Sequence, residues 1–442
     1  MTIVYSHIQN GEKMDRLVIR GGKPLFGDIE VSGMKNAAVA VVLSTILVND
    51  VCVIENLPDI LDITNALEIL KVMGAEVRRL GKTTVEIDTR RVTGGNSPYD
   101  IVRKMRGSYY IMGAELGRFG YANVGCPGGC DFGVRPIDQH IKGFRALGAE
   151  VNVESGYLEA KAPGGLSAAH LFFDKVSVGA TINVIIAAVR AKGTTIIENA
   201  AREPHVVDLA NFLNSCGARI SGAGTDVIKI RGVDRLYGCT YAIIPDMIEA
   251  GTFMIAAAAT RGTLRINNVI PKHLESITAK LTEMGVQVEE FDDSVLVRGP
   301  VSLRPTDIQT QPYPGFPTDV HPQICVLLCL AKGVSYLTER VWDNRFRYVE
   351  ELKRMGAQIK VDGKMAIIEG GTPFSAAPIR AVDLRAGAAM IIAALTAEGR
   401  TEIDEVYHIE RGYDDIVGKL RRVGADIRRV TVPSGYELEQ AN

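Results

Sequence analysis

Six short phrases recur along the 442 residues: MGAEV at 73–77, LGAEV at 147–151, CGARI at 216–220, MGVQV at 284–288, MGAQI at 355–359 and VGADI at 423–427. Their central glycines, at 74, 148, 217, 285, 356 and 424, are spaced 74, 69, 68, 71 and 68 residues apart. A Leu or Phe stands three residues before each phrase: Leu70, Phe144, Leu213, Leu281, Leu352 and Leu420. So steady a period marks a chain built from one repeated unit. Each phrase reads as a helix that stops on a C′ glycine and runs directly into a strand.

Upstream of each glycine lies an apolar, small-residue-rich segment, then a β-rich run and a polar loop, as in GATINVIIAAVRAKGTTIIENAAREP and AGTFMIAAAATRGTLRINNVIPK. One unit is therefore helix, strand, loop, second helix, glycine and two strands. The first helices are apolar on nearly every side, which marks them as buried, whereas second helices such as RYVEELKRMG carry a polar face. Length alone suggests about three domains at roughly 150 residues each. Six units of this kind instead predict two similar α/β globules of three repeats, with helices inside and strands outside.

Composition narrows the partners. With 46% hydrophobic and 23% charged residues the chain is neither disordered nor fibrous. Lys plus Arg (50) nearly balance Asp plus Glu (52), so no overall basic field exists to hold nucleic acid or an anionic membrane. Seven scattered cysteines suit a reducing compartment, the N-terminus lacks a signal-peptide pattern, and apolar runs such as 37–48 are too short to span a bilayer. A soluble, cytoplasmic protein is expected.

The unit also says where chemistry can sit. Helix N-termini bind anions through free N–H groups and the helix dipole. At or near the first-helix N-termini lie Lys35, Asn36, Arg106, Lys175, Ser177, Asp319, Asp383 and Arg385; the loops before second helices carry Cys130, Arg135, Arg345 and Arg411. Basic residues at equivalent anion-prone points, in a chain of net charge −2, suggest a polyanionic small molecule.

The most distinctive stretch is 125–138, GCPGGCDFGVRPID. Two readings are open: a plain connection in which Cys130 is incidental, or a mobile lid that carries a thiol over a site. In the second, Arg135 lowers the thiol's pKa and holds an anion beside it, and the thiol serves as nucleophile or proton donor. Likewise Asp319, in the proline-rich segment 304–322, either caps the following helix together with Thr318 or enters a cleft as a base. His140, following the Cys130 loop, is a candidate ligand contact, and His205 and His273 read as surface or capping residues. Cys52, Cys216, Cys239, Cys325 and Cys329 read as core, and no Cys or His spacing fits a structural metal. GKTT at 81–84 lacks the earlier glycine of a phosphate-binding loop and reads as a hairpin turn, as SGAG at 221–224 reads as a strand connection.

Several of these motifs, in this order, resemble the UDP-N-acetylglucosamine 1-carboxyvinyltransferases of the enolpyruvyl transferase family: SGMKNAA (32–38), PGGCDFGVRPID (127–138), DKVSVGATINV (174–184), ENAAREP (198–204), FPTD (316–319), DNRF (343–346), DLRA (383–386) and YHIERGY (407–413). The resemblance spans about residues 14–430. It implies two inside-out globules, one over 35–244 and one over 14–34 plus 245–442, with 1–13 an extension of no assigned role. It implies transfer of enolpyruvyl from phosphoenolpyruvate to the sugar 3′-hydroxyl, with release of phosphate, for peptidoglycan precursor synthesis. No cofactor, metal, nucleic acid or membrane is implied, and the oligomeric state is left open.

Motif by motif, Cys130 resembles the lid cysteine that protonates C3 of phosphoenolpyruvate. Lys35, Arg135 and Arg411 match the cations on its phosphate and carboxylate, and Asp319 matches the carboxylate beside the 3′-hydroxyl. Asn36, Arg106, Lys175, Ser177, Val178, Gly179 and Val341 match the nucleotide-sugar lining, and Pro136, Ile137, Asp138 and Gln139 its uridine edge. Asp383, Arg385 and Arg345 match a charged cluster coupling the globules. Met34, Cys126 and the Asp131–Phe132 pair depart from the family pattern. Three alternatives are a shikimate-type enolpyruvyl transferase, against which the PGGC motif speaks, a paralogue using another nucleotide sugar, and a non-catalytic clamp with a basic inner face.

Overall fold

A computed structural model describes residues 13–95, 97, 99–102, 105–125, 137–154 and 156–433. All six repeat glycines end their helices in left-handed backbone, with φ of 104°, 87°, 99°, 92°, 96° and 100° in chain order. Each unit supplies two helices: α1 (Lys35–Val48) and α2 (Leu61–Val72), α3 (Tyr110–Phe119) and α4 (Asp138–Ala146), α5 (Val178–Ala188) and α6 (Pro204–Ser215). The second three units supply α7 (Met247–Ala259) and α8 (Glu275–Glu283), α9 (His321–Leu330) and α10 (Val349–Arg354), α11 (Leu384–Thr396) and α12 (Ile416–Arg422).

The odd-numbered helices form the core. Every residue of α7 is buried, and so are all residues of α1 after Asn36. Ala, Gly and Thr are frequent among them, so neighbouring helices approach closely; a Cβ on Gly113 would lie 2.5 Å from the Asn183 carbonyl. The even-numbered helices bury one face each.

Six sheets wrap these helices, five of four strands and one of three among the described residues. Three are built from strands between Val51 and Ala242, and three from β1 (Lys13–Arg20), β2 (Phe26–Glu30) and strands after Gly262. Within a unit, the strand after the second helix pairs antiparallel with its neighbour, as Glu76–Arg79 with Val85–Asp88. The sixth unit departs from the expected plan: its strand Asp426–Pro433 pairs instead with β1, which also pairs with Arg400–Asp404. Among the described residues, β1 thus stands where the hairpin partner stands in the other units.

The chain crosses between the two groups twice, and each crossing exchanges an edge strand. β2 precedes α1 but runs parallel to Thr263–Asn267, and Thr240–Ala242 precedes α7 but runs parallel to Val51–Glu55. The crossings touch: Met34 N–H donates to the Ile244 carbonyl (2.7 Å) and Asp246 N–H to the Ser32 carbonyl (2.9 Å). Asn56 and Asn268, both in left-handed backbone, brace them by donating to the carbonyls of Ile243 and Val31 at 2.8 and 2.7 Å. Lys419 reaches both Glu249 and the Ser32 hydroxyl beside the first crossing. No helix among the described residues is long and apolar enough to cross a membrane.

Candidate active site

Four first-helix N-termini receive side-chain oxygens or cations. Asp246 caps α7 through the N–H groups of Ile248 (2.8 Å) and Glu249 (3.3 Å), and its other oxygen accepts from Lys35 N–H (3.3 Å) at the start of α1. One buried carboxylate so joins two helix N-termini across the crossings. Asp383 caps α11 by accepting from Arg385 and Ala386 N–H, and Ser177 caps α5 by accepting from Ala180 N–H. The cap uses one oxygen of the buried Asp383 carboxylate.

The structure brings Lys35 and Arg411 onto one carboxylate that the sequence reading did not single out. Asp62, in the first turn of α2 and 3% exposed at its side chain, lies 2.9 Å from Lys35 Nζ and 3.2 Å from Arg411 Nε. Burial raises the pKa of Asp62, but the charges of Lys35 and Arg411 outweigh it and hold the carboxyl below its ordinary value. Two cations from opposite ends of the chain therefore face each other across one buried anion.

Asp319 does not cap its helix, since α9 and the turn before it have no side-chain cap. Its carboxylate instead lies 3.3 Å from the Arg385 guanidinium and 3.6 Å from that of Arg345. Both arginines are buried; burial works against the Arg385 charge, yet Asp319 beside it raises its pKa further. Arg345 also donates to the Thr318 carbonyl (3.1 Å). The cluster of Asp319, Arg345 and Arg385 thus sits within the second group of units.

Two buried histidines are held below the ordinary imidazole range. His205, expected as a surface or capping residue, is buried at the start of α6, next to Glu203, which accepts from Tyr313 N–H (3.3 Å). Burial pulls His205 down to about 4, with the Asp319 charge pulling the other way. His140 is also buried, drawn down to about 4, and its Nδ1 meets the Asn183 amide at 3.1 Å. Neither histidine therefore carries a positive charge at neutral pH.

Asp138 and Gln139 open α4; Gln139 contacts Asp138 (2.9 Å) and Asp174 (3.2 Å), and Lys175 approaches Asp138 at 3.9 Å. Ile137 precedes α4, and Val178 and Gly179 begin α5, where a Cβ on Gly179 would come within 3.1 Å of His140. Asn36 is half-buried beside Lys35, and Val341 is exposed. Cys126, Cys130, Asp131, Phe132, Arg135 and Pro136 lie outside the described residues, and Arg106 is described by its backbone alone. Among the described residues no group of three or more His, Cys, Asp or Glu side chains has a metal-binding arrangement. Cys52, Cys216 and Cys239 cluster, with the Cys216 and Cys239 sulfurs 3.4 Å apart, and Cys239 is only half-buried.

The sequence pattern of the EPSP synthase (3-phosphoshikimate 1-carboxyvinyltransferase) family matches residues 19–420. The UDP-N-acetylglucosamine 1-carboxyvinyltransferase 3 of Caldanaerobacter subterraneus subsp. tengcongensis is 56% identical over 94% of this chain and all of its own. That of Clostridium botulinum is 56% identical with the same coverage. The chain belongs to the UDP-N-acetylglucosamine 1-carboxyvinyltransferase family. Its fold agrees: the enolpyruvyl transferase NikO of Streptomyces tendae aligns with a TM-score of 0.86 at 28% identity, over 96% of this chain and all of NikO. An EPSP synthase of Acinetobacter baumannii aligns at 0.74 and 18% identity, over 94% and 100%, and shares the two-globule inside-out fold. Family membership places both motif-bearing crossings and the Asp319 cluster in an enolpyruvyl transferase scaffold.

Proposed function

We propose that this protein transfers the enolpyruvyl group of phosphoenolpyruvate to the 3′-hydroxyl of UDP-N-acetylglucosamine and releases phosphate, a step toward peptidoglycan precursors in the cytoplasm. The observation that carries the reading is the convergence of Lys35 and Arg411 on Asp62. A trianionic substrate can replace that carboxylate and take both cations, which are already fixed in place. We divide the chain into a globule over 35–244 and a globule over 14–34 with 245–442, so these two cations belong to opposite globules and substrate would sit between them.

In this reading Cys130 protonates C3 of phosphoenolpyruvate, and C2 becomes the electrophile. Arg135 stands with Lys35 and Arg411 on the substrate's anionic groups. The 3′-hydroxyl attacks C2 as Asp319 accepts its proton; the pair of arginines orients the Asp319 carboxylate for that task. The tetrahedral intermediate then loses phosphate while C3 gives up a proton, leaving the enol ether. Asn36, Arg106, Lys175, Ser177, Val178, Gly179 and Val341 would line the nucleotide sugar, with Pro136, Ile137, Asp138 and Gln139 along the uridine. Asp383 would set the α11 N-terminus from which Arg385 reaches Asp319.

The test is phosphate release from phosphoenolpyruvate, with UDP-N-acetylglucosamine or 3-phosphoshikimate as acceptor. Release with the nucleotide sugar only is expected, and Cys130→Ser should escape alkylation by the epoxide fosfomycin. A wild type that releases no phosphate with the nucleotide sugar would overturn the reading.

A further inference from the structure

Glu339 directly follows the strand Gly333–Thr338 and is 1% exposed, with no cation within ion-pair distance among the described residues. Four donors share its carboxylate. Oε1 accepts from the Thr310 hydroxyl (2.8 Å), Val341 N–H (2.6 Å) and Trp342 N–H (2.9 Å); Oε2 accepts from the Thr318 hydroxyl (2.8 Å). A buried carboxylate is costly unless its oxygens are satisfied, and these four bonds satisfy it without a counter-charge.

Two of the four partners adjoin the site. Thr318 directly precedes Asp319, and Val341 is the exposed residue of the turn that leads to Arg345. Arg345 then returns to the Thr318 carbonyl and to Asp319, closing a ring of contacts that Glu339 joins from both turns. We propose that Glu339 is a positioning residue: through Thr318 it sets the direction of the Asp319 carboxylate, and through Val341 it sets the facing wall in the same register. The proposal rests on the functional reading above, in which Asp319 takes the acceptor's proton.

A base held by a hydroxyl one residue away acts on turnover more than on phosphoenolpyruvate capture, and misplacement on the scale of 1 Å costs up to about 100-fold in rate. Thr318→Val removes only the hydroxyl that links Glu339 to the Asp319 turn. It is expected to lower kcat about 10- to 100-fold, with KM for phosphoenolpyruvate within about twofold, while the Glu339 oxygen left without its donor lowers the unfolding temperature by about 2–12 °C. Thr318→Ser, which restores the donor, should return kcat to within about threefold.

Glu339→Gln keeps the acceptor for three donors but forces the Thr318 hydroxyl to reverse from donor to acceptor. Its loss should be smaller than that of Thr318→Val, and the double variant should be no slower than Thr318→Val alone, because both act through one bond. Wild-type kcat in a folded Thr318→Val, failure of Thr318→Ser to rescue, or losses that multiply in the double variant would each overturn the proposal. A wild type without activity would instead remove the functional reading, and the proposal with it.

Discussion

Asp62→Asn tests the electrostatic core of the site. The amide keeps the shape of the side chain and one accepting oxygen, but it removes the only negative charge between Lys35 and Arg411 in the described contacts. At an effective dielectric near 20, a charge pair at 4 Å is worth about 4 kcal/mol, and removing one member of a buried pair costs about 3–5 kcal/mol. Because the amide still accepts one hydrogen bond, the low end applies, about 3 kcal/mol. In a unit of 150–250 residues this corresponds to a fall in unfolding temperature of about 6–12 °C at neutral pH.

The carboxyl's lowered pKa sets the pH window. Its contribution is present above the ordinary carboxylate range and is lost as pH falls through the folded-state value, so the gap to wild type should close in acid. The decisive arm is inorganic phosphate, read by thermal unfolding with and without the ion. In the variant, no carboxylate competes with phosphate for the two cations, and saturation at about 100 Kd would restore about 2.7 kcal/mol. In the wild type, Asp62 competes for the same cations and the shift should be smaller. Equal unfolding temperatures without phosphate, or equal phosphate shifts, would refute the account.

Two further substitutions probe the scaffold. A Cβ on Gly33 would stand 1.7 Å from the Asn56 carbonyl oxygen at the crossing, so Gly33→Ala should destabilise by about 3 kcal/mol by denaturant titration, whereas Gly424→Ala, with nothing within 4 Å, should cost only the roughly 1–2 kcal/mol of its left-handed backbone. Burial pushes Glu115 up to about 7, so its stabilising contribution is full in acid and lost as pH rises through that value; Glu115→Gln should match wild type in unfolding temperature at pH 5 and exceed it at pH 8, and parallel curves would contradict this.

The repeat was legible because it rests on backbone chemistry that a single chain displays. A glycine at each helix C′ is demanded by left-handed φ, and apolar residues on every side of a helix demand burial. Lys35, Asp319, Arg385 and Arg411 were legible from their equivalent places in the unit. Asp62 was not, although it lies in the first turn of a second helix, the same region as Arg345 and Arg411 in their units. An acidic residue at an anion-prone N-terminus reads as an ordinary helix-dipole partner until a distant cation is seen against it. His205 read as a surface or capping residue because its distant neighbours, such as Asp319, lie more than a hundred residues on in the chain. Glu339 carries no local pattern at all, because its four donors come from three separate turns.

The swapped strands have a consequence for the nascent chain. β1 leaves the ribosome some 380 residues before Arg400–Asp404, one of its two sheet neighbours, is made. At about 5–20 residues per second that interval is roughly 20–80 s. The units between Lys35 and Ala242 can close a hydrophobic core early, but they do so with an unpaired β2 trailing at one end, because its partner Thr263–Asn267 has yet to appear. Translation order and pairing order are therefore opposed in this sheet: its first strand waits for partners made at the far end of the chain. Both edges of β1 lack their partners until Arg400–Asp404 is made, and one still does until Asp426–Pro433 follows.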